Sequence, residues 1–135
     1  MVELHGWLSI QETYEDEDSL SPKEIDEIMR KVKEIVSNSV CGIELKCVNG
    51  TPFVNTLICS NHRTSEVDDI IEVYKSISKT ATGSYGVIYL RDDEDDEHYN
   101  EIQKYVFKRG TCIYKIDEDF SPCIPTIESD TVNHQ

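Results

Sequence analysis

The sequence predicts an α+β domain, with two helices packed on a mostly antiparallel sheet of about six strands in the order β-α-β-β-α-β-β-β. Two apolar stripes recur at helical spacing, each preceded by a capping residue. Between and after them lie short runs in which apolar residues alternate with polar ones, the period of a half-buried strand. Two glycine turns, Asn49-Gly50 and Arg109-Gly110, each divide a pair of such runs, as hairpins require.

Residues 4–10 place Leu4, Gly6, Leu8 and Ile10 on one side and His5, Trp7 and Ser9 on the other, a strand with Trp7 opposite its aliphatic face. An acidic loop follows. It ends in the clearest local signal of the chain: Ser21, Pro22 and Glu24 stand where an N-cap, a first-turn proline and an N3 carboxylate belong, flanked by Leu20 and Ile25 as a hydrophobic staple. Ile25, Ile28, Met29, Val32, Ile35 and Val36 continue as one apolar stripe to about residue 37, so a helix is expected there. Its other face balances Lys23, Arg30, Lys31 and Lys33 against Glu24, Asp26, Glu27 and Glu34. With Asp26/Arg30 and Glu27/Lys31 spaced for ion pairs, that face reads as solvated helix.

Ile43, Leu45 and Cys47 alternate with Glu44, Lys46 and Val48, and the run 53–59 returns after Asn49-Gly50, a pair suited to the positive φ of a two-residue hairpin turn. Pro52 falls at the start of the return strand, where a missing N–H does least harm. A second helix is expected to begin at Thr64 or Ser65 and to turn Val67, Ile70, Ile71, Tyr74, Ile77 and Ser78 inward, with Gly83 placed to end it. Residues 83–90 read as a turn entering a strand that stops at an acidic run, and 102–108 and 111–116 flank Arg109-Gly110 as a final hairpin.

A chain of 135 residues fits one domain, expected over 1–128, with a C-terminal tail at 129–135 that lacks apolar periodicity. Cys41, Cys47, Cys59, Cys112 and Cys123 form no CxxC pair, and their odd number argues against a complete disulfide framework. Most of them lie singly in apparent strands, where a cysteine is expected as a small core residue. The first residues show no signal-peptide pattern, and no apolar run approaches the roughly 20 residues of a membrane span. A cytoplasmic protein with free thiols and no membrane partner is expected.

The formal charge of -14 is concentrated rather than spread. Asp92, Asp93, Glu94, Asp95, Asp96 and Glu97 are consecutive, Glu12, Glu15, Asp16, Glu17 and Asp18 form a second group, and Asp117, Glu118 and Asp119 a third. Like charges at this density work against compactness and exceed what solubility requires, so a cationic partner is the first explanation to test. The same surface repels nucleic acid and anionic membrane. Tyr14, Tyr85, Tyr89, Tyr99 and Tyr105 are interleaved mostly with acids, a pattern that suits a protein interface better than nucleic acid.

The sequence carries no enzyme signature. Asp93, Asp95 and Glu97 match the first three ligand positions of a calcium loop, but His98 and Lys104 stand where that loop requires Gly and Glu. In Asn61-His62-Arg63, His62 is a candidate base and Arg63 an anion clamp, yet neither a nucleophile motif nor a Gly-rich phosphate loop accompanies them, and a structural role is favoured. The cysteines and His5, His62, His98 and His134 lack the spacing of a catalytic thiol or of paired ligands. Neither cofactor nor metal is expected.

Several local words occur in order over most of the chain: Glu3-Leu4-His5-Gly6-Trp7, Asn61-His62-Arg63, Gly83-Ser84-Tyr85-Gly86 followed by Val87-Ile88-Tyr89 and acids, and Ser121-Pro122-Cys123-Ile124-Pro125-Thr126-Ile127-Glu128. Together they resemble the immunity protein 7 family of bacterial polymorphic-toxin systems. The resemblance implies an antitoxin, a cytosolic protein that binds and blocks the C-terminal toxic domain of a secreted or contact-delivered toxin, often a nuclease. Since a nuclease attracts its polyanion with Lys and Arg, an acidic inhibitor fits that role independently.

The shared words are then read as fold determinants and the acidic loops as the contact surface. The expected partner-binding residues are Asp92, Asp93, Glu94, Asp95, Asp96, Glu97 and Tyr99, with Glu15, Asp16, Glu17 and Asp18 for steering and Trp7 or Tyr85 as further anchors. A monomer is favoured. The alternatives are a free-standing acidic mimic of nucleic acid that inhibits a DNA- or RNA-binding protein, and a small hydrolase using His62 and a carboxylate.

Overall fold

The computed structural model describes residues 1–39 and 42–124. Cys41, the word Pro125-Thr126-Ile127-Glu128 and the expected tail at 129–135 lie outside the described residues. In chain order the elements are β1 (Val2–Ser9), α1 (Pro22–Ser37), β2 (Ile43–Val48), β3 (Thr51–Ser60), α2 (Ser65–Thr80), β4 (Tyr85–Asp92), β5 (Gln103–Lys108) and β6 (Thr111–Ile116), the predicted order. The strands form one six-stranded sheet, β2-β3-β1-β4-β5-β6. All its pairings are antiparallel.

Register decides which side chains meet. Leu4 lies opposite Ile58 of β3 and Leu90 of β4, and Leu8 opposite Val54 and Gly86. Val2, Leu4, Leu8, Val54, Ile88, Leu90 and Phe107 therefore share one face, and all are buried. Facing them, α2 buries Val67, Ile70, Ile71, Tyr74, Ile77 and Ser78, the inward set the stripe predicted. Tyr74 fits beneath Gly6, where a Cβ would approach its hydroxyl to 2.8 Å. That hydroxyl bonds Thr56 Oγ1 at 2.9 Å, and burial pushes its pKa to about 12. Along α1 only Val32 is fully buried, while Ile28, Met29, Ile35 and Val36 pack partly against the core.

The local start and turn signals appear as predicted. Glu24 N–H donates to Ser21 Oγ at 3.2 Å while Ser21 N–H donates to Glu24 Oε1 at 3.1 Å. Such a capping box contributes about 1 kcal/mol. Asn49 and Gly50 have φ of 52° and 79°, and Arg109 and Gly110 of 50° and 74°, the paired positive values of tight hairpin turns.

Four expectations are corrected. Gly83 does not end α2: the helix closes at Thr80 with Ala81 as C-cap, and a Cβ on Gly83 would lie 2.3 Å from the Thr13 carbonyl oxygen, so close approach explains the glycine. On α1, Arg30 forks between Glu27 and Glu34, each at 2.7 Å, instead of pairing with Asp26. The fourth strand does not stop before the acids but runs through Asp92. Cys47 and Cys59 are exposed rather than in the core. Alternation puts Cys59 on the same side as Leu57, the face the helices leave uncovered, and Cys47 lies opposite Pro52 near a hairpin tip.

Candidate protein-binding surface

The β4–β5 loop is built by its own acids. Asp92, only 4% exposed, accepts the Glu94 N–H at 3.1 Å and lies 3.9 Å from Arg63 Nη1, so it shapes the loop and is withdrawn from the expected contact set. Asp95 Oδ1 accepts the N–H groups of His98 and Glu97, both at 2.9 Å, and these bonds hold its carboxyl below the usual range. Asp93, Glu94, Asp96, Glu97 and Tyr99 remain exposed. His98 bonds Glu101 at 3.0 Å and has Glu97 at 3.7 Å; the Glu101 bond, with Asp95 and Glu97 nearby, raises its pKa.

The Asn61-His62-Arg63 word joins this loop to the rest of the fold. His62 Nδ1 lies 2.7 Å from Glu94 Oε1, Ser60 Oγ donates to the His62 carbonyl at 2.9 Å, and Arg63 Nη2 donates to Asp68 at 2.6 Å. These contacts tie the end of β3 to the start of α2 and to the acidic loop, in line with the favoured structural reading.

Two acidic groups that are distant in sequence meet here. β6 ends opposite the start of β5, Ile116 facing Gln103, and the chain then folds back along residues 100–102. Asp117 N–H donates to the Ile102 carbonyl at 2.8 Å, Ile102 N–H to Ser121 Oγ at 2.9 Å and Cys123 N–H to the Asn100 carbonyl at 2.9 Å. Asp117 itself is buried: it accepts the Phe120 N–H at 2.7 Å and Lys104 Nζ at 3.2 Å, contacts that keep its carboxyl low. Glu118 and Asp119 stay exposed, as do Tyr99 at 59% and Phe120 at 61%.

The acidic group of Glu12, Glu15, Asp16, Glu17 and Asp18 lies elsewhere. It follows the other end of β1, where Ser9 faces Phe53 and Tyr85 and Arg109 stacks over the Tyr14 ring at 5.7 Å. Eight residues of β1 separate the two ends, about 23 Å at the usual rise of an extended strand. Glu15, Asp16 and Asp18 are exposed there, and Glu17 opens a single 3-10 turn at Glu17–Ser19. Trp7 and Tyr85 stand on the uncovered sheet face nearer this end, in edge-to-face contact at 6.1 Å.

On that uncovered face Glu44, Asn55 and Leu57, to which the sequence assigned no contact, lie beside Trp7, to which it did. Leu57 is 68% exposed, and with His5, Trp7, Glu44, Asn55 and Tyr89 it surrounds a shallow depression over β1 and β3. Alternation in each strand gives the outward residues, but only the strand order makes them neighbours. No group of three or more His, Cys, Asp or Glu is arranged to hold a metal among the described residues.

The family model for Immunity protein 7 matches residues 1–129. The chain belongs to the immunity protein 7 family. No curated protein and no solved structure matches it. Membership makes this chain an immunity protein of a toxin system, and its exposed surface that of a protein which binds a cognate toxin.

Within this immunity protein the Gly83-Ser84-Tyr85-Gly86 word is largely architecture. A Cβ on Gly86 would fall 2.0 Å from the Trp7 carbonyl oxygen, so only glycine lets β4 lie this close to β1. Ser84 is fully buried and its Oγ accepts the Gln11 N–H at 3.2 Å. Tyr85 alone of the four is exposed.

Proposed function

We propose that this immunity protein acts in the cytosol and neutralises the C-terminal toxic domain, a nuclease, of its cognate toxin by laying its acidic end into the domain's basic cleft. The observation that carries the proposal is that the loop bearing Asp93, Glu94, Asp96 and Glu97 is hydrogen-bonded to the segment bearing Glu118 and Asp119 at one end of the sheet, where Tyr99 and Phe120 are also exposed. Carboxylates in that arrangement pair with Lys and Arg that otherwise hold phosphates, and the two aromatic rings supply contact area that water does not compete for. Glu15, Asp16 and Asp18, at the far end, add attraction at a distance rather than contacts in the same cleft. Inhibition then needs no catalysis by this chain.

The deciding experiment is calorimetry against the purified C-terminal domain encoded immediately upstream, at low and high salt. A nanomolar complex that weakens steeply with salt is expected. Absence of binding at both salts overturns the proposal in favour of a free-standing mimic.

A further inference from the structure

The depression on the uncovered sheet face has a chemistry of its own. It is lined by the aromatic Trp7 and Tyr89, the aliphatic Leu57 and the polar Glu44, Asn55 and His5. Both rings are braced from outside: Tyr85 meets Trp7 edge-on at 6.1 Å, and Phe120 meets Tyr89 edge-on at 6.1 Å. Phe120 belongs to the acidic end, so the depression is continuous with the surface proposed to meet the toxin. His5 is engaged by Glu3 at 2.7 Å, and the strand cations closest in register, Arg91 and Lys46, face Glu3 and Phe53.

An aromatic face attracts a cation, an aliphatic flank accepts a long methylene stem, and a carboxylate accepts a pair of N–H donors. A small molecule would be left mostly uncovered in so shallow a site, whereas a side chain delivered by a protein is covered by the protein that carries it. We propose that this depression takes one arginine side chain of the basic toxin domain, with its stem on Leu57, its guanidinium over Trp7, and its donors on Glu44. The inference rests on the reading that the partner is basic. It adds a recognition pocket to the electrostatic contact, and with it a residue-specific brake on dissociation.

Trp7 is the single tryptophan of the chain, so its indole reports on the site directly. The probe is the peptide acetyl-Gly-Arg-Gly-amide, with the uncharged citrulline peptide as its isosteric control, followed by NMR at the Trp7 indole and the Leu57 methyls. A saturable shift with arginine and none with citrulline is expected. Glu44→Gln should weaken it by at least about threefold, and neutralising Asp93, Asp96 and Glu97 should leave it in place. Shifts confined to residues 93–101 overturn the pocket, as does an equal response to citrulline.

Against the toxin domain, Glu44→Lys on the exposed edge strand and Trp7→Ala should each raise the dissociation rate about tenfold with little change in association. Unchanged dissociation for both overturns the pocket. A toxin domain that fails to bind the wild type defeats the proposed function instead, and the peptide titration then decides the pocket alone.

Discussion

Asn100 clasps Ile124 by two hydrogen bonds, its amide donating to the Ile124 carbonyl at 2.9 Å and its side-chain oxygen accepting the Ile124 N–H at 2.7 Å. The clasp holds the segment after β6 against the β4–β5 loop and so makes one surface of two acidic groups. Asn100→Ala should lower stability by only about 1 kcal/mol, because both bonds are solvent-exposed. It should nevertheless accelerate amide exchange over residues 118–124 and weaken toxin binding, although no charge has changed. Exchange mass spectrometry checks this, and unaltered protection of that segment would refute it.

Charge at the two ends of the sheet should count unequally. The variant Asp93→Asn, Asp96→Asn, Glu97→Gln and the variant Glu15→Gln, Asp16→Asn, Asp18→Asn remove the same formal charge. The first should cost at least about tenfold in toxin affinity at moderate salt, and the second under about threefold, mostly in association rate. Asp95 is left intact because its carboxylate holds the loop through the His98 and Glu97 N–H groups. Equal losses in stopped-flow and equilibrium measurements would place the contact elsewhere.

Two glycine substitutions should separate steric from conformational demand. Gly86→Ala places a methyl 2.0 Å from one backbone atom and 2.7 Å from another, neither of which moves without breaking the β1–β4 pairing. A loss of roughly 3 kcal/mol or more, or failure to fold, is expected. Gly50→Ala meets nothing within 4 Å but must keep φ near 79°, which costs about 1 kcal/mol. Urea denaturation gives both values, and comparable losses would contradict this account.

His98 should make the acidic end sensitive to pH. Its Glu101 bond, with Asp95 and Glu97 close by, raises its folded pKa above 6.5. A raised histidine contributes stability that is complete below its unfolded value and is lost as pH rises through the folded one. The low carboxyls of Asp95 and Asp117 act in the opposite sense, their contribution falling away below 3.8 as they protonate. Melting temperatures of wild type and His98→Ala should therefore converge as pH climbs from about 6 to about 8. A constant gap would show that the charge of His98 contributes nothing.

Much of this fold could be read from spacing alone, because its decisive signals are local. Ser21, Pro22 and Glu24 specify one helix start, and Asn49-Gly50 and Arg109-Gly110 specify two turns, whatever surrounds them. The errors share a different cause. Alternation separated Cys59 from Ile58, but whether a helix covers that side of β3 depends on where α1 and α2 dock. Asp92 looks like any other member of an acidic run, and it is buried because β4 runs one residue further and Arg63 comes from a distant loop.

The candidate surface was legible in composition and not in layout. The count of carboxylates pointed to a basic partner, yet nothing in the linear order tells that the segment bearing Glu118 is tied to the loop bearing Asp96 while Glu15 lies at the other end of β1. The neighbours Trp7, Glu44 and Leu57 come from three strands whose lateral order is set by tertiary packing.

The placement of β1 has a consequence for how the protein comes into being. The strand nearest the start of the chain lies in the interior of the sheet, and its two neighbours, β3 and β4, are translated roughly 50 and 85 residues later. A nascent chain on the ribosome thus carries an aliphatic strand with both edges vacant until β3 is made and with one still vacant until β4 follows, a task suited to a chaperone. Residues 93–101 and 117–124 follow later still. A prematurely terminated product would thus be no weakened antidote but a sticky fragment lacking the acidic end altogether.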